Sequence, residues 1–180
     1  MKKKSENKRA FVYSIFIRYF IILISSLGSL WIFYFIFTPL TLYLTYFILD
    51  ILFGATISGT TIFIGSSFSP IEIIEACVAG SAYFLLFIFN LSVPNISVLK
   101  RIKMIAFAFL SFFIVNSIRI ISLSAIYLLK PEIFNVTHIL SWYIGSVILV
   151  VGIWFFEVKL FKIKDIPFYS DIKSIIKYIK

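Results

Sequence analysis

The chain has 180 residues, of which 61% are apolar, 19% aromatic and only 14% charged, with 22 phenylalanines. Runs free of Asp, Glu, Lys and Arg cover 19–49, 51–71, 76–99 and 133–156, long enough for segments of about 20 residues that cross a bilayer's apolar core of roughly 30 Å; this balance argues against a soluble enzyme, a nucleic-acid binder or a disordered tail. The formal net charge is +9, and in a membrane chain the positions of the basic residues set its orientation.

Lys2, Lys3, Lys4, Lys8 and Arg9 form a basic start. The apolar stretch after it is too long for a signal peptide, and no small-x-small cleavage site closes it. It reads as a retained first span over about Tyr19 to Phe37, with Arg18 snorkelling at its inner end, interrupted by Pro39. Leu40 to Phe53 would make a helix only about 21 Å long at 1.5 Å per residue; it carries Asp50 and is expected to lie in the interface. Gly54, Gly59 and Gly65 make a spanning helix over 54–75 a poor reading. The runs Thr60 to Ile64 and Ile71 to Ile74, separated by Gly65-Ser66-Ser67-Phe68-Ser69-Pro70, predict a β-hairpin instead. A second span runs from about Ala76 to Leu91, before Pro94.

Lys100, Arg101 and Lys103 occupy a short loop, and a third span follows from about Met104 to Leu129, ended by Lys130-Pro131-Glu132. After a brief link, His138 opens a fourth span reaching Phe156. In the basic tail, Ile172, Ile175, Ile176 and Ile179 share one helical face while Lys173, Lys177 and Lys180 take another, the pattern of a helix on an anionic membrane surface.

Of 17 Lys and Arg, 14 fall in 1–9, 100–103 and 159–180, and the positive-inside rule assigns all three groups to the cytoplasm. That requires four crossings, with 40–53 not crossing. The expected fold is an all-α integral membrane domain of about four transmembrane helices, an interfacial helix and a short extracytoplasmic β-hairpin. It forms a single unit over 1–180: a basic cytoplasmic N-terminus (1–18), a transmembrane core (19–156) and a basic amphipathic cytoplasmic tail (157–180). In the cell membrane both termini would then be cytoplasmic, and Glu75, Cys77, the outer part of the third span and His138 would lie near the outer face.

Cys77 and His138 are the sole cysteine and histidine, which leaves no internal disulfide and no Cys- or His-clustered metal site, so no cofactor or metal is expected. A charge within a span must find a partner or a wet cavity; Arg119 either pairs with a carboxylate such as Glu75 or serves a site. Asn116, three residues earlier and on the same face, either orients that guanidinium or bonds a neighbouring helix. Cys77 is either a small buried hydrophobe or a thiol favoured by a helix start and nearby cations, and His138 is either an interfacial aromatic or its base. A Cys nucleophile, a His base and a cationic oxyanion stabiliser are the minimum equipment for acyl transfer.

Glu75-Ala76-Cys77-Val78-Ala79-Gly80, Asn116-Ser117-Ile118-Arg119 and His138, in that order and spacing, resemble the Cys, Asn-x-x-Arg and His boxes of the exosortase/archaeosortase family. The hairpin, the interfacial helix and the basic tail extend the resemblance over nearly the whole chain. One departure is that Val78-Ala79 precede Gly80, where the family commonly has a small polar residue and then Gly directly after the Cys. The resemblance implies a membrane transpeptidase with Cys77, Arg119 and His138 as the catalytic triad, Asn116 orienting Arg119 and Glu75 shaping the Cys turn. Its substrates would be surface proteins ending in a short motif, a transmembrane helix and a basic end. The acceptor would be an amine such as a lipid headgroup, and the partners would be those substrates and membrane lipids, with no nucleic acid.

Two rivals remain open: a membrane cysteine protease that hydrolyses the thioester, and a noncatalytic subunit or transporter with Arg119 and His138 on a polar path. Ser66-Ser67 lack a Gly-x-Ser-x-Gly elbow, which disfavours a serine enzyme. Gly145 and Ser146 are small enough to let a substrate helix approach. Trp31, Trp142 and Trp154 read as interfacial anchors, and the Asn-x-Ser/Thr sequences at 90, 95 and 135 as unoccupied.

Overall fold

The computed structural model describes residues 2–28, 30–65 and 69–179, with side chains from 13 onward apart from 174 and 177–179. The side chains of the first basic group, of Lys177, Ile179 and Lys180, and residues Ser66 and Ser67 lie outside the described residues. The chain is mostly helical. Three helices are long and apolar enough to cross a membrane, Trp31–Phe53, Val98–Leu129 and the continuous Pro131–Leu160, and two shorter apolar ones cover Tyr13–Leu27 and Glu75–Leu91.

The expected first span over 19–37 is two helices, α1 (Lys2–Leu27) and α2 (Trp31–Phe53). Leu30, the residue before α2, is left-handed at φ 62°, while Pro39 sits inside α2 without ending it. A proline within a helix loses one hydrogen bond and costs about 3 kcal/mol. Here packing on either side outweighs that cost: Phe37 stacks on Tyr83 with centroids 3.7 Å apart, and Leu42, Thr45 and Leu49 are buried. Residues 40–53 are therefore the second half of a continuous helix, not a separate interfacial one.

Asp50 accepts a hydrogen bond from the Ala55 N–H at 2.9 Å, starting a three-stranded antiparallel sheet, β1 (Ala55–Ser58), β2 (Thr61–Ile64) and β3 (Ser69–Glu72), in that spatial order. The β2–β3 pair is the expected hairpin, with Ile62 opposite Ile71; β1 is an addition. Ile62 and Ile64 point into the core and are fully buried, as period-two alternation requires.

The expected helix from 76 to 91 is interrupted. A single turn, α3 (Glu75–Val78), ends at Ala79, left-handed at φ 57°, and α4 (Gly80–Leu91) follows. The basic cluster at 100–103 is not a loop but the first turn of α5 (Val98–Leu129), capped by Ser97 Oγ accepting from the Lys100 N–H. The link expected before His138 is also helical: α6 (Pro131–Leu140) opens on Pro131 and passes through a π-helical turn at Ser141–Gly145 into α7 (Ser146–Leu160). The tail forms α8 (Tyr169–Ile179).

The helix α5 packs against α2, α4, α6 and α7, and its Phe109 and Phe112 close edge-on around the buried Tyr83. At one end of the bundle Arg18 does not snorkel. Its guanidinium is buried, 2.8 Å from Asp171 of α8, and donates to the Leu91 carbonyl closing α4; Tyr19 donates to the same carboxylate. Arg101 donates to the carbonyls of Asn90, Leu91 and Val93, filling the acceptors that a helix C-terminus leaves open. Glu157, beyond the expected end of the last span, is fully buried and accepts from Asn90. Eighteen residues separate Arg101 from Arg119, about 27 Å along α5 at 1.5 Å per residue, so the sheet and Cys77 occupy the other end.

Candidate active site

The residues expected to carry chemistry come from three elements. Cys77 lies in α3, half-buried, its N–H bonded to the Ile74 carbonyl at 2.9 Å. Because α3 is one turn and ends at Ala79, Cys77 does not begin a long helix, and the expected dipole of such a helix does not act on it directly. Asn116, buried on α5, donates from Nδ2 to the Cys77 carbonyl at 2.9 Å. It holds the cysteine turn rather than the guanidinium.

Arg119, one turn further along the same face, donates from Nη1 to Ser146 Oγ of α7 at 2.7 Å; its buried Nε has no partner. Glu75 is exposed and does not pair with it; among the described residues the one ion pair is Arg18–Asp171. His138 is exposed on α6, its ring stacked on Phe134 at 5.5 Å and 12°, and Phe134 in turn meets Tyr127 edge-on. This sequence of rings fixes the imidazole plane without a hydrogen bond.

Cys77, Arg119 and His138 all line one cavity of about 440 Å³. Its remaining wall is largely apolar: Ile120, Leu123 and Tyr127 of α5, Phe134 of α6, Trp142 of the π-helical turn and residues 70–74 of the sheet edge. A largely apolar wall with a few polar side chains on it is the composition of a ligand pocket. Among the described residues no group of three His, Cys, Asp or Glu is placed to hold a metal.

Glu75 is absent from the cavity wall, whereas Glu72 lies on it. Ser146 enters the site as the hydrogen-bond partner of Arg119. It had a signal in the sequence: His138, Trp142 and Ser146 recur every four residues, one stripe of a helix. The π-helical turn Ser141–Gly145, which carries Trp142, is a feature often found at functional sites; no composition signal marks it. Compared with known protein families, curated proteins and solved structures, the chain matches none.

Proposed function

We propose that the chain is a membrane-embedded cysteine transpeptidase that cleaves the C-terminal sorting signal of exported proteins and joins the new C-terminus to an amine. The observation that carries this reading is the convergence of Cys77, Arg119 and His138 on one largely apolar cavity. The family resemblance of the three boxes agrees with it. With α2, the apolar helix over 75–91, α5 and the continuous helix over 131–160 as four crossings and the basic residues cytoplasmic, the cavity faces the outer leaflet.

In the proposed cycle the Cys77 Sγ attacks a substrate carbonyl carbon while its proton passes to His138. Arg119, held by Ser146, stabilises the oxyanion. The C–N bond breaks, and the leaving amine takes the proton from His138 and departs with the substrate's helix. A thioester remains on Cys77. An acceptor amine attacks it, loses a proton to His138, and releases the thiol as a new amide forms. The apolar wall favours the amine over water by limiting hydration of the thioester.

The test is to compare, by C-terminal mass spectrometry, surface proteins from cells carrying the wild type or Cys77→Ala, Arg119→Ala or His138→Ala. Each variant is expected to lower processing by about 100-fold or more, in line with loss of a nucleophile, an oxyanion donor or a general base. Full processing with Cys77→Ala would rule out the reading. A processed C-terminus bearing an added amine supports transfer, whereas a free carboxylate reassigns the chain as a protease.

A further inference from the structure

Five consecutive residues, 70–74, line the cavity that holds Cys77. Successive side chains of a strand point to opposite faces, yet the cavity touches residues 70–72 of β3 and the two residues that follow it, the pattern of a cavity that lies along the strand's edge. Among the described strands β3 is outermost, in the order β1-β2-β3, so from Pro70 onward no described strand pairs with its outer edge.

The ladder determines which backbone groups face that edge. Ile73 donates to the Thr60 carbonyl at 3.0 Å, and Ile62 stands opposite Ile71; in an antiparallel pair bonded and unbonded positions alternate. Residues 71 and 73 thus spend their groups on β2, and 70, 72 and 74 turn theirs toward the cavity. Pro70 fits this register, since its missing N–H belongs to the open side. The edge offers the Pro70 carbonyl, the N–H and carbonyl of Glu72, and the N–H of Ile74; the Ile74 carbonyl accepts from Cys77 and Val78.

We propose that this edge binds the substrate as an extended polypeptide, which adds to β3 as a fourth strand and so delivers its scissile carbonyl to Cys77. Main-chain hydrogen bonds supply affinity in this mode, and alternate side chains supply specificity. Alternate residues of the bound peptide face Ile120, Leu123 and Phe134, so small or apolar side chains are expected at every second position before the cleavage point. The inference rests on the transpeptidase reading of the same cavity.

Proline at position 72 removes one edge donor while leaving the bonds between β2 and β3 intact. In cells, Glu72→Pro is expected to lower processing of helix-tailed surface proteins about tenfold relative to Glu72→Ala, which lacks the same carboxylate but keeps the N–H; tenfold is the loss of one well-formed hydrogen bond. Equal processing by the two, at equal membrane abundance, overturns strand addition. Should Glu72→Pro fail to accumulate, Ile74→Pro against Ile74→Ala reads the same edge one pair further on, with the same two outcomes. Cys77→Ala run in parallel separates the claims: processing lost there but equal in the proline and alanine variants removes the strand and keeps the nucleophile, and processing retained there removes both.

Discussion

Arg119 is held on one side by Ser146 Oγ at 2.7 Å, while its Nε remains without a partner. An oxyanion stabiliser acts by being in place before charge develops, so Ser146 is a positioning residue in the proposed cycle. Ser146→Ala is expected to lower processing about tenfold, roughly one hydrogen bond to a charged group, with Ser146→Thr restoring part of it; unchanged processing would detach Ser146 from the site. Arg119 and Cys77 were visible from the sequence because a cation within a span and a lone thiol are chemically conspicuous. The partners were not: the Asn116 bond to the Cys77 carbonyl and the Arg119 bond to Ser146 cross between helices, and no local pattern records which carbonyl or hydroxyl lies opposite.

Between Cys77 and the body of α4, the chain turns at Ala79 with φ 57°, a conformation that costs an L-residue about 1–2 kcal/mol. Gly80 is fixed by the Tyr34 ring, which a Cβ at position 80 would approach to 2.7 Å. Ala79→Gly is therefore expected to stabilise the protein by about 1 kcal/mol, and Gly80→Ala to destabilise it by about 1–3 kcal/mol through overpacking. Denaturant unfolding in detergent measures both, and opposite signs would contradict this account of the turn. The same two residues show what pattern reading misses. Apolar periodicity runs straight through 76–91, so the break is invisible to it, and Pro39 misleads in the other direction because the packing of Phe37 and Leu42 outweighs a local rule. The hairpin was legible because Gly65 and Pro70 punctuate two β-branched runs. The additional strand β1 depends on Asp50 capping Ala55, a contact rather than a composition.

Over the whole molecule, Arg18, Arg101 and Asp171 of α8 meet at one end of the bundle, and Arg119, on the wall of the cavity with Cys77 and His138, lies about 27 Å from Arg101 along α5, comparable to a bilayer's apolar thickness. The tail is fastened to that end by the buried Arg18–Asp171 pair, while Ile172 and Ile176 stay exposed. Asp171→Asn leaves Arg18 buried without its anion, a loss of about 3–5 kcal/mol, and is expected to release α8, read as faster trypsin cleavage at Lys173; an unchanged rate would show that α8 is held by other contacts. The distribution of charge, which the sequence carries openly, is the basis of the proposed orientation. In the proposed cycle Cys77 forms a thioester with its substrate. Intact-mass analysis of the protein isolated from cells tests this step: a polypeptide adduct on Cys77 that hydroxylamine removes and that Cys77→Ala lacks is expected, and an unmodified Cys77 in cells actively processing such substrates would contradict it.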